Sequence, residues 1–195
     1  MFDRFVVHNF LENGIPASSG PYLRLVAAVE KSGARILRAE PRTLGFGEVT
    51  LRVLSLPPGL TTQNDNSVGL LLQYGEFRAL LTGDSEWREL AHWLRKDSIP
   101  AVSLVKVAHH GARNGTTPEW VDATRPRVVV ISAGRNGYGM PAPEVVDIWS
   151  RVAHHVLLTM DGGTVIVRAQ RDGSMVLLRS DSTGLISPQG IEVPR

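Results

Sequence analysis

The chain has 195 residues, 43% of them hydrophobic and 21% charged, with 21 Lys and Arg against 19 Asp and Glu. That length suits one domain with a sizeable core, and a net charge of +2 is too small to argue for nucleic-acid binding by itself. The absence of cysteine excludes disulfides, Cys-ligated zinc and iron–sulfur clusters, leaving histidine and carboxylates as the strong metal ligands.

The longest apolar runs fall short of the roughly 20 residues of a membrane span. The start, MFDRFVVHNFLENG, carries acidic residues and no long apolar core, so no signal peptide is expected and the cytoplasm is the default location. In SSGPYLRLVAAVEKSG, Tyr22, Leu25, Val26 and Val29 recur at helical spacing, with Ser19 as N-cap and Gly33 as the stop. ARILRA and EVTLRVLSL read as strands joined through the glycines of LGFG, and residues 57–65 read as a loop. SVGLLLQYGEFRALLTGD sets two apolar runs around Tyr74-Gly75-Glu76 and predicts a hairpin.

SEWRELAHWLRK predicts a helix with Trp87, Leu90, Ala91 and Leu94 on one inward face. VSLVKVAHH and RVVVISAG predict buried strands, separated by a short helix in TPEWVDAT with Thr117 as N-cap and Pro118 in the first turn. APEVVDIWSRV predicts a helix that turns Val145, Ile148, Trp149 and Val152 inward. VLLT, GTVIVRAQ and SMVLLRS predict three closing strands, the last two joined by Arg171-Asp172-Gly173. Tryptophans 87, 93, 120 and 149 fall in amphipathic helices and are expected in the core, and residues 181–195 read as a loose polar tail. Strands alternating with helices, with hairpins toward both ends, give a mixed sheet with helices packed on it, an α/β (α+β) layered domain over residues 1–180.

In such domains ligands collect at the carboxyl ends of strands. Three polar clusters fall there: Asp84 after RALLTG, His109-His110 after SLVKVA, and Ser132 to Asn136 after RVVVI. On neighbouring strands they would converge on one edge. Asp84 has two readings, a carboxylate aimed at a metal from the Gly83 turn, or the N-cap of the following helix. If the strand pattern persists through His109 and His110, their side chains alternate and at most one faces a metal directly. The other would then meet substrate or hold a neighbouring group in place; a surface pair without a ligand is the competing reading. His154-His155 are placed at a helix C-terminus, where imidazolium complements the dipole, and His8 and His92 also read as structural. DGGTV and GRNGYG are glycine turns that fit neither a dinucleotide nor a P-loop pattern, and no G-x-S-x-G elbow is present.

The order of the motifs is more specific than any one of them. NDNSVGLLLQYGEFRALLTGDSEWREL, LVKVAHHGA, PRVVVISAGRNGYGMPAPEVVDIW and TMDGGTVIV together resemble the C-terminal half of a metallo-β-lactamase-fold hydrolase. More narrowly they resemble the ComEC-like group, linked to bacterial DNA-internalisation competence channels. FVVHNFLENGIPASSGPYLRLVAAVEKSGARIL is similar to the segment that follows the metal motif in that group, so the resemblance runs over about residues 5–170.

The resemblance implies an αββα sandwich with a zinc site, usually of two metals, where its halves meet. It implies that Asp84 bridges the metals and that one of the two histidines of HHG is a ligand, His109 being preferred and His110 then the catalytic histidine, with the choice between them left open. Asn64 to Ser67 occupy the place of a further histidine in many relatives, and Asn66, Ser67 and Asn136 are expected to contact substrate, a phosphodiester or nucleic acid. Zinc would lower the pKa of bound water and polarise the phosphoryl or acyl group attacked. Against the pattern, the group's H-x-H-x-D-H or H-x-D-x-D-H cluster is absent, the six histidines being 8, 92, 109, 110, 154 and 155. Met140 stands where relatives often have histidine in YGHP, and Ala112 where HHGS has serine.

Asp84, His109 and His110 cannot make the site of three protein ligands that hydrolytic zinc needs, so the chain is expected to be a partial domain lacking its N-terminal portion, weakly active or inactive alone. Its missing half would come from another segment or chain, unless the fold has reorganised. Half a sandwich should expose an apolar sheet face, with Leu70, Leu72 and Val128 on it. The alternative is a non-catalytic module acting by partner binding or as a homodimer, linked to DNA uptake. Direct nucleic-acid binding would rest on the scattered Arg113, Arg125, Arg127 and Arg135 and would weaken steeply with salt.

Overall fold

The computed structural model describes residues 2, 4–181, 183–187 and 189–195. The portions of the expected start and tail at Met1, Asp3, Ser182 and Pro188 lie outside the described residues. The chain opens with a βαβ unit in which β1 (Asn9–Glu12) and β2 (Arg35–Arg38) pair in parallel across α1 (Gly20–Ser32), as a separate two-stranded sheet. The helix begins and ends where its sequence requires. The Ser19 hydroxyl accepts the Tyr22 N–H at 3.4 Å, and Gly33, left-handed at φ 71, returns its N–H to Glu30.

Next, β3 (Arg42–Phe46), β4 (Val49–Val53), β5 (Leu70–Tyr74) and β6 (Phe77–Leu81) run as an antiparallel meander. The expected linker LGFG is therefore partly strand: Leu44 to Phe46 pair with β4, and only Gly47 is left to turn. From β6 the connections become crossovers. α2 (Trp87–Lys96), α3 (Pro118–Thr124) and α4 (Pro143–Ser150) carry the chain to β7 (Leu104–Lys106), β8 (Val128–Ile131) and β9 (His155–Leu158), all parallel to β6. The seven strands lie in sequence order, β3 to β9. A second sheet follows, made of β10 (Thr164–Ala169), β11 (Met175–Ser180) and β12 (Ile191–Val193), all antiparallel.

Strand alternation gives the large sheet two apolar faces. Leu71, Leu80, Val105, Val129 and Ile131 meet the helices through Leu90, Trp93, Trp120, Val145 and Trp149, where the Trp93 and Trp120 rings lie 6.0 Å apart and tilted. Phe77, Ala79, Leu104, Val128 and Leu157 meet Met175, Leu177 and Val193 of the second sheet. The result is a mixed α/β architecture of helices, seven-stranded sheet and three-stranded sheet. The apolar face expected to be open is thus covered: Val128 is fully buried, Leu72 packs against the second sheet, and Leu70 is half-buried. Part of the expected tail is also structured, since 191–193 pair with β11 and Val193 is buried.

Helix faces differ in detail from the sequence reading. The inward arc of α2 is Glu89, Leu90, His92 and Trp93, whereas Trp87, on the first turn, is half exposed with the Arg88 guanidinium over its ring. Asp84 does not cap α2, which starts at Trp87 behind an Glu86 that makes no capping hydrogen bond. Helix α4 stops at Ser150, so Val152 falls in the following turn and is exposed, and His155 opens β9 instead of ending a helix. Both His154 and His155 donate their backbone N–H to Arg127. Among the described residues no helix is long and apolar enough to cross a membrane.

Candidate functional site

Because β6, β7 and β8 are adjacent and parallel, their carboxyl ends open on one edge, and the three polar clusters that follow them meet there. Hydrogen bonds stitch the three together. The Thr82 hydroxyl donates to Lys106 O at 2.7 Å, the His109 N–H to Gly83 O at 3.1 Å, and the Lys106 ammonium to the same carbonyl at 2.8 Å. Gly83 sits at φ 57, and a β-carbon there would press on Ser67.

Strand alternation does not govern the histidine pair, because β7 ends at Lys106. His109 and His110 are both left-handed, at φ 47 and 56, and Gly111 follows at φ 80. For a side chain other than glycine that conformation costs on the order of 1 kcal/mol per residue, and it survives only where the surroundings enforce it. The two rings therefore separate by backbone twist. The His110 Nδ1–H donates to Ser132 O at 2.6 Å, since a carbonyl can only accept. That leaves Nε2 toward Asp84, whose Oδ1 lies 3.5 Å away, and both side chains are nearly half exposed.

His109 points elsewhere. Its Nε2 is 3.5 Å from the Asn64 amide, and its Nδ1 is 3.7 Å from Glu86 Oε1, beyond hydrogen-bond reach, so that buried nitrogen has no partner among the described residues. Of the two histidines left open by the sequence, His110 is the one beside Asp84, and His109 lies toward Asn64 and Glu86.

Ser67 is the hub beneath the site. Its hydroxyl donates to Asn64 O at 3.0 Å and accepts the Asp84 N–H at 3.1 Å, while its own N–H donates to Glu89 Oε2 at 3.1 Å. Glu89 is fully buried with Oε1 unpartnered among the described residues, and burial pushes its carboxyl up to about 8, against the lowering effect of the neighbouring Ser85 hydroxyl and the Ser67 N–H. Lys106, half-buried under Asp84, is pushed down by burial, while the Asp84 charge opposes that shift. Sequence reasoning missed both residues. The usable signals were a lysine inside the apolar LVKVA run and a glutamate on the same turn as Leu90 and Trp93.

Asn66 and Asn136 are committed to their own loops. The Asn66 amide donates to Leu60 O at 2.9 Å and Thr62 O at 2.8 Å, and Asn66 is buried. Asn136 donates to Gly134 O and Met140 O, both at 2.7 Å, and its Oδ1 accepts the Tyr138 and Met140 N–H groups. Asn136 nonetheless lines an open cleft of about 1040 Å³ that begins at His110 and runs over Ser132, Tyr138, Thr159 and Ser180. Of the four arginines singled out, Arg113 pairs with Glu144, Arg125 donates to Asp122 O, and Arg127 ties down Pro194 O and Gly173 O. Arg135 alone lines the cleft.

For zinc, the donor set is partial. His110 Nε2 and Asp84 suit it in type and direction, but no group of three or more His, Cys, Asp or Glu placed to hold a metal occurs among the described residues. Two such donors do not close a zinc site by themselves.

No family model matches the chain. Over 112 residues it is 30% identical to ComE operon protein 3 of Bacillus subtilis, a stretch that makes up 57% of this chain and 14% of that protein. Over 119 residues it is 30% identical to Recombination protein 2 of Haemophilus influenzae, or 60% of this chain and 15% of that one. The chain therefore spans about one seventh of the length of these curated relatives, and the similarity supports a link to the ComEC-like group.

Proposed function

We propose that the chain supplies the Asp84–His110 part of a metal-dependent phosphodiester hydrolase built on a metallo-β-lactamase-like sandwich. The observation that carries this reading is His110, fixed by Ser132 O in the tautomer that leaves Nε2 facing Asp84 where three parallel strands end. Helices on one face of the large sheet and a second sheet on the other correspond to three layers, αββ, of the four in such a sandwich. The similarity to ComE operon protein 3 and Recombination protein 2 supports nucleic acid as the polymer and DNA uptake or recombination as the setting. Zinc suits an imidazole and a carboxylate without cysteine, and when bound it supplies a water of lowered pKa and polarises the phosphoryl group. Asp84 and His110 hold that ion, Ser67 and Lys106 fix the Asp84 loop, and the remaining ligands come from residues outside this set.

With two donors the chain by itself turns substrate over weakly or not at all. Calorimetric titration with zinc tests the reading. Weak binding is expected in the wild type, lost in Asp84→Ala and in His110→Ala and retained in His109→Ala; binding indifferent to His110 overturns it. A second reading, a non-catalytic module that binds a partner or a second copy, is favoured by the apolar side chains left outside on the βαβ unit, Leu23, Leu25 and Ile36. Light scattering on the purified chain decides it, a concentration-independent monomer counting against self-association.

A further inference from the structure

The cleft that starts at His110 continues past one small molecule's worth of space. Its volume of about 1040 Å³ is joined by a neighbouring depression of about 580 Å³ that shares Met160, Gly163 and Asp181 with it and extends over Leu185 and Ile186. Ordinary small-molecule pockets hold roughly 300–1,000 Å³ and enclose their ligand, whereas this one is an open groove, the shape that suits an extended polymer.

On its wall stands Tyr138, 86% exposed and stacked on no other aromatic ring among the described residues. The loop that carries it is held by Asn136, whose Oδ1 accepts the Tyr138 N–H at 2.9 Å and the Met140 N–H at 3.3 Å. Thr159 bonds both the N–H and the carbonyl of Ala133, fixing the other side of the groove to the same loop. Beside Tyr138, the exposed Arg135 has no carboxylate partner among the described residues, and Arg179 on the second depression has none either. The acidic groups of the groove are Asp161 and Asp181, the latter accepting hydrogen bonds from Thr183 and Leu185 of its own turn. An aromatic face on a fixed loop, with cations spaced along an open groove, is the combination that holds unpaired bases and their phosphates.

We infer that Tyr138 stacks on an unpaired base of a single nucleic-acid strand lying in this groove, with Arg135 on its backbone, and so sets a preference for single over double strands. In a duplex the bases stack on one another and present no face to the ring. This rests on the phosphodiester reading for the substrate, and adds the strand form and the residue that selects it.

Fluorescence anisotropy with the full chain and no added metal tests it. The probes are a dye-labelled oligothymidylate, an abasic strand of equal length, and a duplex. The base-bearing strand binds about tenfold more tightly than the abasic one; Tyr138→Ala, which should melt like wild type because the ring is exposed, abolishes the difference, and Tyr138→Phe keeps it. Arg135→Ala weakens both single strands equally and reduces the salt dependence. Equal affinity for base-bearing and abasic strands, equal affinity for the duplex, or a preference that survives Tyr138→Ala overturns the inference. Failure of the metal reading shows instead in the zinc titration, which these measurements do not use.

Discussion

The parallel middle of the chain and its N-terminal βαβ unit treat apolar residues in opposite ways. Between β6 and β9, three tryptophans of three successive helices are buried to 1% exposure or less on one face of a parallel sheet. In the β1–α1–β2 unit the same kind of side chain stays outside: Leu23 is 57% exposed and Ile36 49%, and Val29 is the only buried residue of α1. The site lies on the first region, at the ends of β6, β7 and β8. Left-handed histidines demand such a foundation, because strained backbone persists only where packing leaves no alternative. The βαβ unit, a two-stranded sheet with one helix, has too little buried area to impose anything comparable.

That contrast can be broken most forcefully at Trp93. Truncating it to alanine removes its contact with Trp120 and its indole hydrogen bond to Ser55 O, and should cost about 3–5 kcal/mol in urea unfolding. A loss under about 1 kcal/mol would mean that the helix layer is not the foundation described. Next comes Glu89, buried in the same layer. Between pH of about 4.5 and 8 the unfolded chain has released a proton that the folded chain retains, so the folded state loses stability as pH rises through that window. Relative to Glu89→Gln, which has no proton to lose, wild type should weaken by a few kcal/mol from pH of about 5 to about 8; a constant difference contradicts the burial argument.

Hydrogen exchange sharpens the comparison further. Amides of Phe10 and Leu11 in β1 should exchange at least about tenfold faster than those of Val105 and Val129, and similar protection would show the βαβ unit to be part of the same cooperative core. The smallest effect belongs to α1, where Leu23→Ser should shift stability by no more than about 0.5 kcal/mol. A larger loss would mean that the exposed face is covered in solution.

What the sequence revealed follows the same division. Apolar runs of β-branched residues and amphipathic helices make the parallel region legible, including the convergence of Asp84, the histidine pair and Ser132 on one edge. Three things were hidden for physical reasons. The rings of His109 and His110 are set by a backbone twist that begins only after β7 ends at Lys106, so period-two reasoning could not orient them. A glutamate beside Leu90 and Trp93 on an inward arc counts as polar in any pattern, and its burial depends on the Ser67 N–H arriving from a distant loop. Strand β3 carries a glycine at position 45, which reads as a turn until the register with β4 is known.

The proposal that His110 and not His109 binds a metal together with Asp84 is tested most directly by recording imidazole nitrogen resonances during zinc addition. The account predicts that Nε2 of His110 shifts first, that the shift disappears in Asp84→Ala, and that His154 and His155 stay still. A zinc-dependent shift confined to His109, or one at His110 that persists without Asp84, would contradict it.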